Sequence, residues 1–263
     1  CPERVLPGQI CKELIENDRI IGGMTNKCSQ AAIEVYKTFV VGNCFITDTK
    51  TAEMVKLTEN SFRDVNIAFA NELSIISDKI DINIWELISL ANRHPRVNIL
   101  KPGPGVGGHC IAVDPWFIIS KNKKESRLIH AARHVNDYKP QWVLEKIKIE
   151  VSKFLSDKKD KAINDLTVSC FGLAFKPNID DLRESPALHI VKKLTTYNLG
   201  KLLVVEPNIN VLPSDLKSKA KLVSIDIALK CSDICILLVD HDEFKNINKD
   251  IIDKLNVIDT KGI

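Results

Sequence analysis

The sequence predicts an α/β protein in three parts, with a helical centre between two α/β segments. Residues 160–263 alternate strand-like apolar runs with helical segments, which is typical of a doubly wound parallel sheet with helices on both faces. Residues 49–79 contain neither glycine nor proline and repeat apolar residues at helical spacing. We therefore place the domains at residues 1–48, 49–155 and 160–263.

Short elements fill residues 1–48. We predict a helix at about 9–17, a strand at 19–23, a helix at 29–39 and a strand at 44–47. This rhythm is typical of the C-terminal end of a doubly wound domain. Such a domain opens with a Gly-rich turn after its first strand, and these residues contain none. We therefore expect this block to be the remnant of a larger domain.

The centre of the chain is predicted to be helical. A loop dense in glycine and proline, residues 95–115, interrupts it. Helices are predicted at about 49–79, 83–93, 115–121 and 125–155. Because apolar residues lie around the first helix rather than along one stripe, we expect a second copy of the chain to share it in a homodimer. Those apolar residues are Met54, Leu57, Phe62, Val65, Phe69, Leu73 and Ile76.

The C-terminal α/β domain follows a charged stretch, residues 156–161, which we interpret as a linker. Its first helix is predicted to start at Ser185-Pro186, because serine is a favoured N-cap and proline is favoured in the first turn. Strands are predicted at 166–175, 202–205, 233–239 and 257–259.

The composition argues against several classes of protein. The chain is 44% hydrophobic and 27% charged, as in ordinary globular proteins, and its net charge of +3 argues against a nucleic-acid binder. It has no run of 18 apolar residues, so we expect no membrane-spanning helix. Eight irregularly spaced cysteines without a CxxC pair predict reduced, mostly buried thiols in a cytoplasmic protein.

Metal binding is not predicted either. His130 and His134 lie four residues apart on a predicted helix, which would put both on one face. The glutamate of an HExxH zinc motif is absent between them, so we interpret both as exposed helix residues.

The segment around Cys110 carries the strongest chemical signal. Four glycines occur in residues 103–108, where backbone can approach a ligand closely. Asp114 as N-cap and Pro115 in the first turn predict a helix start, so Cys110 would precede a helix N-terminus whose partial charge favours a thiolate. The alternative is a tight helix–helix loop with an incidental cysteine, which rarely needs so many glycines.

Two further groups of polar residues are candidates. Lys56 and Asn60 share one face of the long helix and could stabilise an oxyanion, although alone they would favour a solvated helix face. Lys176 and Arg183 follow the first strand of the C-terminal domain, where ligands bind in open α/β sheets. They could meet phosphate there. The acids among residues 180–184 also allow an ordinary structural loop.

Together these segments resemble the UDP-glucose/GDP-mannose dehydrogenase family. The matching motifs are Pro2-Glu3-Arg4, Lys56-x-x-x-Asn60, Gly107-Gly108-x-Cys110-x-x-x-Asp114, and Gly172-x-Ala174-Phe175-Lys176 before Arg183-Glu184-Ser185-Pro186. Residues 1–8, 92–98 and 104–110 are most similar to the branch that oxidises UDP-N-acetyl-D-mannosamine. The resemblance covers essentially the whole chain and implies Rossmann-like domains at both ends of a central dimerisation domain.

The resemblance implies an NAD-dependent four-electron oxidation of the 6-hydroxymethyl group of a nucleotide sugar. Cys110 would form a thiohemiacetal with the intermediate aldehyde, and then a thioester that water releases as the uronic acid. Lys56 and Asn60 would stabilise the oxyanions. Asp114 would assist proton transfer or hold water, and Glu3 would act as the base for hydrolysis.

Binding roles follow from the same resemblance. Lys176, Gly107, Gly108, Arg96 and Lys261 would lie at the substrate. Arg183 would lie near NAD. The resemblance also implies that only about the last 45 residues of the NAD-binding domain are present here, so we expect little dehydrogenase activity from this chain alone.

Several alternatives remain open from the sequence. The substrate could instead be UDP-glucose, UDP-N-acetylglucosamine or GDP-mannose. A non-catalytic nucleotide-sugar-binding or dimerisation module is a different class, and it would have no chemical use for Cys110, Lys56, Asn60 and Asp114 together. A metal-binding protein is the remotest alternative, because the ligand spacings are not paired.

Overall fold

A computed structural model describes residues 1–5, 9–252 and 254–263, so part of the N-terminal stretch 1–8 lies outside the described residues. The first block consists of α1 (Ile10–Glu16), β1 (Arg19–Gly22), α2 (Asn26–Tyr36) and β2 (Cys44–Thr47). Strands β1 and β2 pair in parallel, as the alternation of elements predicts. Helix α2 starts earlier than predicted because Thr25 caps it, its side chain accepting from the N–H of Cys28.

The long central helix, α3 (Thr49–Lys79), has the bounds predicted from its sequence. Asp48 caps its start, and its side chain accepts a hydrogen bond from the Thr51 N–H at 3.0 Å. Helix α3 packs against α6 (Arg127–Asp157), which continues two residues into the predicted linker. Helices α4 (Ile84–Ala91) and α5 (Asp114–Lys121) complete the centre.

The buried face of α3 consists of small residues, most of them polar. Three of its large apolar residues point outward: Phe62 is 69% exposed, Phe69 52% and Ile76 48%. This is the reverse of an ordinary surface helix and leaves an apolar face uncovered in the single chain. The buried residues of α3 are Ala52, Asn60, Ser61, Asp64, Ala68, Ala70, Asn71, Ser74 and Ser77.

A buried lysine on α6 makes the stability of this helical region depend on pH. Lys139 is 2% exposed, donates to Ser74 Oγ at 2.5 Å and lies 3.6 Å from the ring centre of Trp142. Burial lowers the pKa of Lys139 to about 7, against a smaller opposing effect of Asp78. In the unfolded chain Lys139 keeps its proton up to its ordinary pKa of 10.5. Between about pH 7 and pH 10.5 the lysine therefore takes up a proton when the protein unfolds.

We therefore expect the free energy of unfolding to rise with pH across that window, by up to about 1.4 kcal/mol per pH unit. Lys139→Met should remove this slope and leave the protein at least as stable at pH 7, because the methionine avoids burying a charge. Urea unfolding at several pH values measures this. Lys153→Met on the exposed face of α6 is the control and should keep the slope. An unchanged slope in Lys139→Met would contradict the assignment.

The C-terminal domain is a five-stranded parallel sheet in the order β5-β4-β3-β6-β7. Its strands are β3 (Thr167–Phe171), β4 (Lys201–Val205), β5 (Lys221–Leu222), β6 (Ile234–Leu237) and β7 (Asn256–Asp259). Its helices are α7 (Pro186–Leu194), α8 (Ile225–Cys231), α9 (Asp242–Lys245) and α10 (Lys249–Ile252), after a 3-10 turn at Ile163–Asp165. Strand order reverses at β3, so a crevice opens at its carboxyl end.

Two boundaries of this domain show how local chemistry sets an element. Helix α7 begins as predicted, because Ser185 Oγ accepts from the Leu188 N–H at 3.2 Å and Pro186 fills the first turn. Strand β3 ends at Phe171, four residues before the predicted end. Gly172 turns the chain there with φ of +94°, and a Cβ on it would lie 2.4 Å from Val239 Cβ.

The prediction that most cysteines are buried is wrong. All eight thiols are free, but only Cys170 and Cys235 are buried, and both lie on strands of the sheet. Burial raises the pKa of Cys170 and raises that of Cys235 to about 11. Cys231 ends helix α8 and is exposed, because it lies outside the sheet. Among the described residues, no helix combines the length and the apolar character needed to cross a bilayer.

Candidate active site

Cys110 lies immediately ahead of helix α5 and is exposed. Its carbonyl accepts from the N–H groups of Val113 at 3.1 Å and Asp114 at 2.8 Å, which ties it to the first turn of that helix. The sequence predicted this position. It puts Cys110 beside the N-terminus of that helix.

Asn60 and Asp114 bring two of the predicted groups together. Asn60 on α3 is 5% exposed, and its Nδ2 donates to Asp114 Oδ2 at 2.5 Å. The prediction that Asp114 is the N-cap of α5 is wrong: Val113 is the N-cap, and the Asp114 carboxylate faces Asn60 instead. Lys56 lies one turn before Asn60 and is half-buried. Cys110 and the polar face of α3 are therefore joined through Asp114.

The Gly-rich loop, residues 101–113, packs against the loop that carries Lys176, residues 172–185. A Cβ on Gly107 would lie 2.5 Å from the carbonyl oxygen of Glu184 and 2.8 Å from Phe175 Cβ, so only glycine allows this approach. The N–H of Gly108 donates to the carbonyl of Arg183 at 3.3 Å. Two motifs separated by about sixty residues thus form one surface.

Lys176 is half-buried at the carboxyl end of β3, in the crevice that the strand order creates. Burial lowers the pKa of Lys176, and the positive charge of Arg63 on α3 lowers it further. Arg63 lies on the same helix as Lys56 and Asn60, and the charge of Glu13 acts on Lys176 in the opposite direction. Two cations that influence each other in this way are suited to an anionic ligand.

A buried Glu–His pair, which the sequence did not predict, holds the Lys176 loop. Glu206 Oε2 accepts from the N–H groups of Leu173 at 2.7 Å and Ala174 at 3.1 Å. It also lies 3.1 Å from His241 Nε2, while His241 Nδ1 accepts from the Asn178 N–H at 2.9 Å. Because Nδ1 of His241 accepts from Asn178, Nε2 is the ring nitrogen that faces the Glu206 carboxylate. Polar residues shortly after buried strands β4 and β6 were the available signal.

Arg183 is exposed and forms an ion pair with Asp181. Its Nε lies 2.8 Å from Asp181 Oδ1, and its Nη2 lies 2.5 Å from Oδ2. These hydrogen bonds lower the pKa of Asp181 to about 2. Within this loop an acid thus offsets the arginine, as the alternative interpretation of the sequence anticipated.

Lys261 reaches the start of the Gly-rich loop from the other side. Its Nζ lies 3.0 Å from Asp240 Oδ1 and would lie 3.4 Å from a Cβ built on Gly103. The residue follows β7, so the carboxyl edge of the sheet contributes both Lys176 and Lys261 to the neighbourhood of this loop.

Glu3 and Arg96 are not brought to Cys110 by any contact among the described residues. Glu3 Oε2 accepts from Arg19 Nη1 at 2.9 Å. The adjacent Arg4 pairs with Glu59 at 2.6 Å, which holds this segment beside α3. Arg96 is exposed between α4 and α5, where its N–H donates to His94 Nδ1 at 3.3 Å.

His130 and His134 are exposed on α6, as predicted, with their Nε2 atoms 3.2 Å apart. Across the described parts of the chain, no cluster of three or more His, Cys, Asp or Glu residues is arranged to hold a metal ion.

Three models of one family match the chain in order. The UDP-glucose/GDP-mannose dehydrogenase family's NAD binding domain matches residues 1–40, its central domain residues 50–138, and its UDP binding domain residues 169–263. The chain belongs to this family. The resemblance inferred from the motifs is therefore confirmed.

Curated relatives agree with this assignment. The chain is 59% identical to the UDP-N-acetyl-D-mannosamine dehydrogenases of Escherichia coli K12 and Salmonella typhi, over all of this chain and 62% of each relative. It is 57% identical to an NDP-N-acetyl-D-galactosaminuronic acid dehydrogenase of Ralstonia solanacearum, over 60% of that protein. The chain thus spans about three fifths of the length of these relatives.

Solved structures confirm the fold class. A UDP-D-ManNAc dehydrogenase from Pyrococcus horikoshii has 37% identity and a TM-score of 0.84, over 99% of this chain and 60% of that one. A UDP-N-acetyl-mannosamine dehydrogenase from Staphylococcus aureus has 42% identity and a TM-score of 0.80, over 99% and 59%. The α/β architecture with Rossmann-like ends and a helical centre is shared with these structures.

Proposed function

We propose that this chain is the substrate-binding and catalytic part of an NAD-dependent nucleotide-sugar 6-dehydrogenase that makes UDP-N-acetyl-D-mannosaminuronate from UDP-N-acetyl-D-mannosamine. The observation that carries the proposal is the position of Cys110 at the start of α5, joined through Asp114 to Asn60. The names of the relatives at 59% identity support the choice of sugar. Free thiols support a cytoplasmic location.

In this mechanism the Cys110 thiolate is the nucleophile. Its sulfur adds to C6 of the sugar aldehyde, and the carbonyl oxygen becomes the oxyanion of a thiohemiacetal. Loss of a hydride from C6 gives a thioester. Water then adds, and the thiol leaves with a proton as the carboxylate forms. A thiolate both attacks carbonyls readily and leaves well, which serine or lysine would not do in both steps.

The residues around Cys110 have complementary roles. Lys56 and the Asn60 amide stabilise the oxyanions, because both offer N–H donors on one face of α3. Asp114 holds a water or transfers a proton, and its hydrogen bond from Asn60 orients it. Glu3 is the base for thioester hydrolysis, and its carboxylate is held by a hydrogen bond from Arg19 Nη1.

Binding roles are proposed for the residues at the edge of this surface. Lys176 and Lys261 offset the charge of the diphosphate, and Gly107 and Gly108 bring backbone close to the substrate. Exposed Arg96 is free to meet a phosphate or a second subunit.

NAD, when bound, accepts the two hydrides of the reaction. Residues 1–40 match the family's NAD binding domain, and Arg183 is the residue of the C-terminal domain that we assign near NAD. We assign no other residue of this chain to NAD. We therefore propose little NADH production by this chain alone.

A calorimetric titration of this chain without NAD tests the proposal. We expect UDP-N-acetylmannosamine to bind at least about tenfold more tightly than UDP-glucose or GDP-mannose, because pocket contacts decide between sugars. UDP-N-acetylgalactosamine belongs in the panel, since one relative is named for that sugar acid. Tighter binding of any other sugar would overturn the choice of substrate, and binding of none would contradict an intact nucleotide-sugar site.

We also propose a homodimer formed through the exposed apolar face of α3. Phe62, Phe69 and Ile76 are 69%, 52% and 48% exposed in the single chain, and they recur every seven residues along one face. Sedimentation equilibrium should give twice the mass of the chain. Phe62→Asp should give monomers, whereas Val211→Asp, at a 60% exposed position of the C-terminal domain, should not. A monomeric parent chain would contradict the proposal.

A further inference from the structure

A chain of buried polar side chains lies between α3 and α6. Asp64 and Asn71 on α3 are 0% exposed, and Arg133 and Asn136 on α6 are 2% and 1% exposed. Burying such groups is costly unless every one is hydrogen-bonded, and apolar residues would pack two helices with less cost. We call these four residues the polar ladder.

Within the polar ladder, Asp64 on α3 is hydrogen-bonded to Arg133 and Asn136 on α6. Arg133 Nη1 donates to Asp64 Oδ1 at 2.6 Å. Asn136 Nδ2 donates to the same oxygen at 2.8 Å and to the Asp64 carbonyl at 3.0 Å. Burial raises the pKa of Asp64, and Arg133 and Asn136 offset part of that rise.

Asn71, the fourth residue of the polar ladder, connects the ladder to the Gly-rich loop. Asn71 Nδ2 donates to Asn136 Oδ1 at 2.9 Å, and Asn71 Oδ1 accepts from the Gly103 N–H at 2.9 Å. Gly103 is buried, so its N–H needs this acceptor. An amide side chain provides an acceptor for the loop and a donor for the ladder at once.

The Gly-rich loop is therefore held at two points. Asn71 holds Gly103 from the helical side, and the Arg183 carbonyl holds Gly108 from the C-terminal domain. Cys110 follows the second point by two residues. Because the intervening glycines lose much conformational freedom on ordering, the loop would not keep the thiol in one place without such anchors.

We propose that Asn71, fixed by the polar ladder, is a positioning residue that sets the place of Cys110 through Gly103. This inference rests on the proposed function for its consequence in catalysis. It makes the α3–α6 interface part of the machinery of the site, although no residue of the ladder needs to touch the substrate.

The test compares Asn71→Leu with Asn71→Asp in this chain. Aspartate keeps an acceptor for Gly103, whereas leucine has none. Hydrogen exchange reads the contact directly, because Pro102 and Pro104 have no N–H and leave the Gly103 amide isolated in the sequence. We expect the Gly103 amide to exchange at least about tenfold faster in Asn71→Leu than in the parent chain, and more slowly in Asn71→Asp than in Asn71→Leu.

A second readout reports on the thiol itself. The rate at which iodoacetamide alkylates Cys110 is divided by the rate at Cys231, an exposed thiol on the C-terminal domain that serves as an internal reference. The ratio should change at least about threefold in Asn71→Leu, because the thiol loses its fixed place at α5. Ile236→Val, in the centre of β6, destabilises the chain without touching the ladder and should leave the ratio unchanged.

An unchanged ratio and an unchanged Gly103 exchange rate in folded Asn71→Leu would overturn the proposal, as would an equal change in Ile236→Val. These readouts do not require Cys110 to be the nucleophile. If Cys110 proved dispensable for oxidation, the proposed function would fail, while the dependence of Gly103 and Cys110 on Asn71 would be judged separately.

Discussion

Replacement of Cys110 by alanine should abolish uronate formation, with a loss of at least about a thousandfold in rate, because no other group can form the thioester. The assay needs a complete NAD-binding domain, which a chimera with the N-terminal part of the Escherichia coli relative supplies. Product is measured by mass spectrometry as the acid. The aldehyde formed in the first oxidation should still be trapped by a hydrazine, since that step does not use the thiol.

Two controls separate chemistry from folding in this experiment. Cys231→Ala removes another exposed thiol, on the C-terminal domain, and should retain the parent rate. The isolated chain carrying Cys110→Ala should still bind the nucleotide sugar in calorimetry, because binding is assigned to Lys176, Lys261 and the loop backbone. Acid formation at the parent rate by Cys110→Ala would show that the thiol is not the nucleophile.

The sequence predicted those features that depend on local chemistry. The bounds of α3 follow from 31 residues without glycine or proline, and the start of α7 follows from Ser185 and Pro186. Cys110 at a helix start followed from the glycines and Asp114-Pro115. Local signals also explain one error: Asp114 has the chemistry of a cap, but its carboxylate is used by Asn60, which is 54 residues away.

The remaining features depend on which surfaces meet, which a single sequence does not contain. Helical periodicity identified Phe62 and Phe69 as apolar positions, but the face of α3 that packs on α6 is the polar one. Asn71 and Asn136 have no local pattern that links them, because the bond between them spans 65 residues. Whether a charge such as Glu206 is buried likewise depends on loops that arrive from elsewhere.

Replacement of Glu206 by leucine should destabilise the C-terminal domain by about 3 to 5 kcal/mol. The buried carboxylate satisfies the N–H groups of Leu173 and Ala174 and accepts from His241, and leucine would leave these donors without a partner. Burial alone would raise the pKa of Glu206, but the bonds from His241 and Leu173 lower it. The carboxylate is thus ionised near neutral pH. Urea unfolding at pH 7 measures the decrease in the free energy of unfolding that Glu206→Leu causes.

The same substitution should weaken nucleotide-sugar binding more than the loss of stability explains, because the Lys176 loop loses its anchor. Glu243→Leu, at an exposed position of α9, is the matched control and should change stability by no more than about 0.5 kcal/mol. Binding is compared under conditions where both variants are folded. If Glu206→Leu bound the ligand as tightly as Glu243→Leu, the buried Glu206–His241 pair would be a support of the sheet alone. Weaker binding in Glu206→Leu would mean that this pair sets the position of Lys176, and hence that the carboxyl edge of the sheet is built for an anionic ligand.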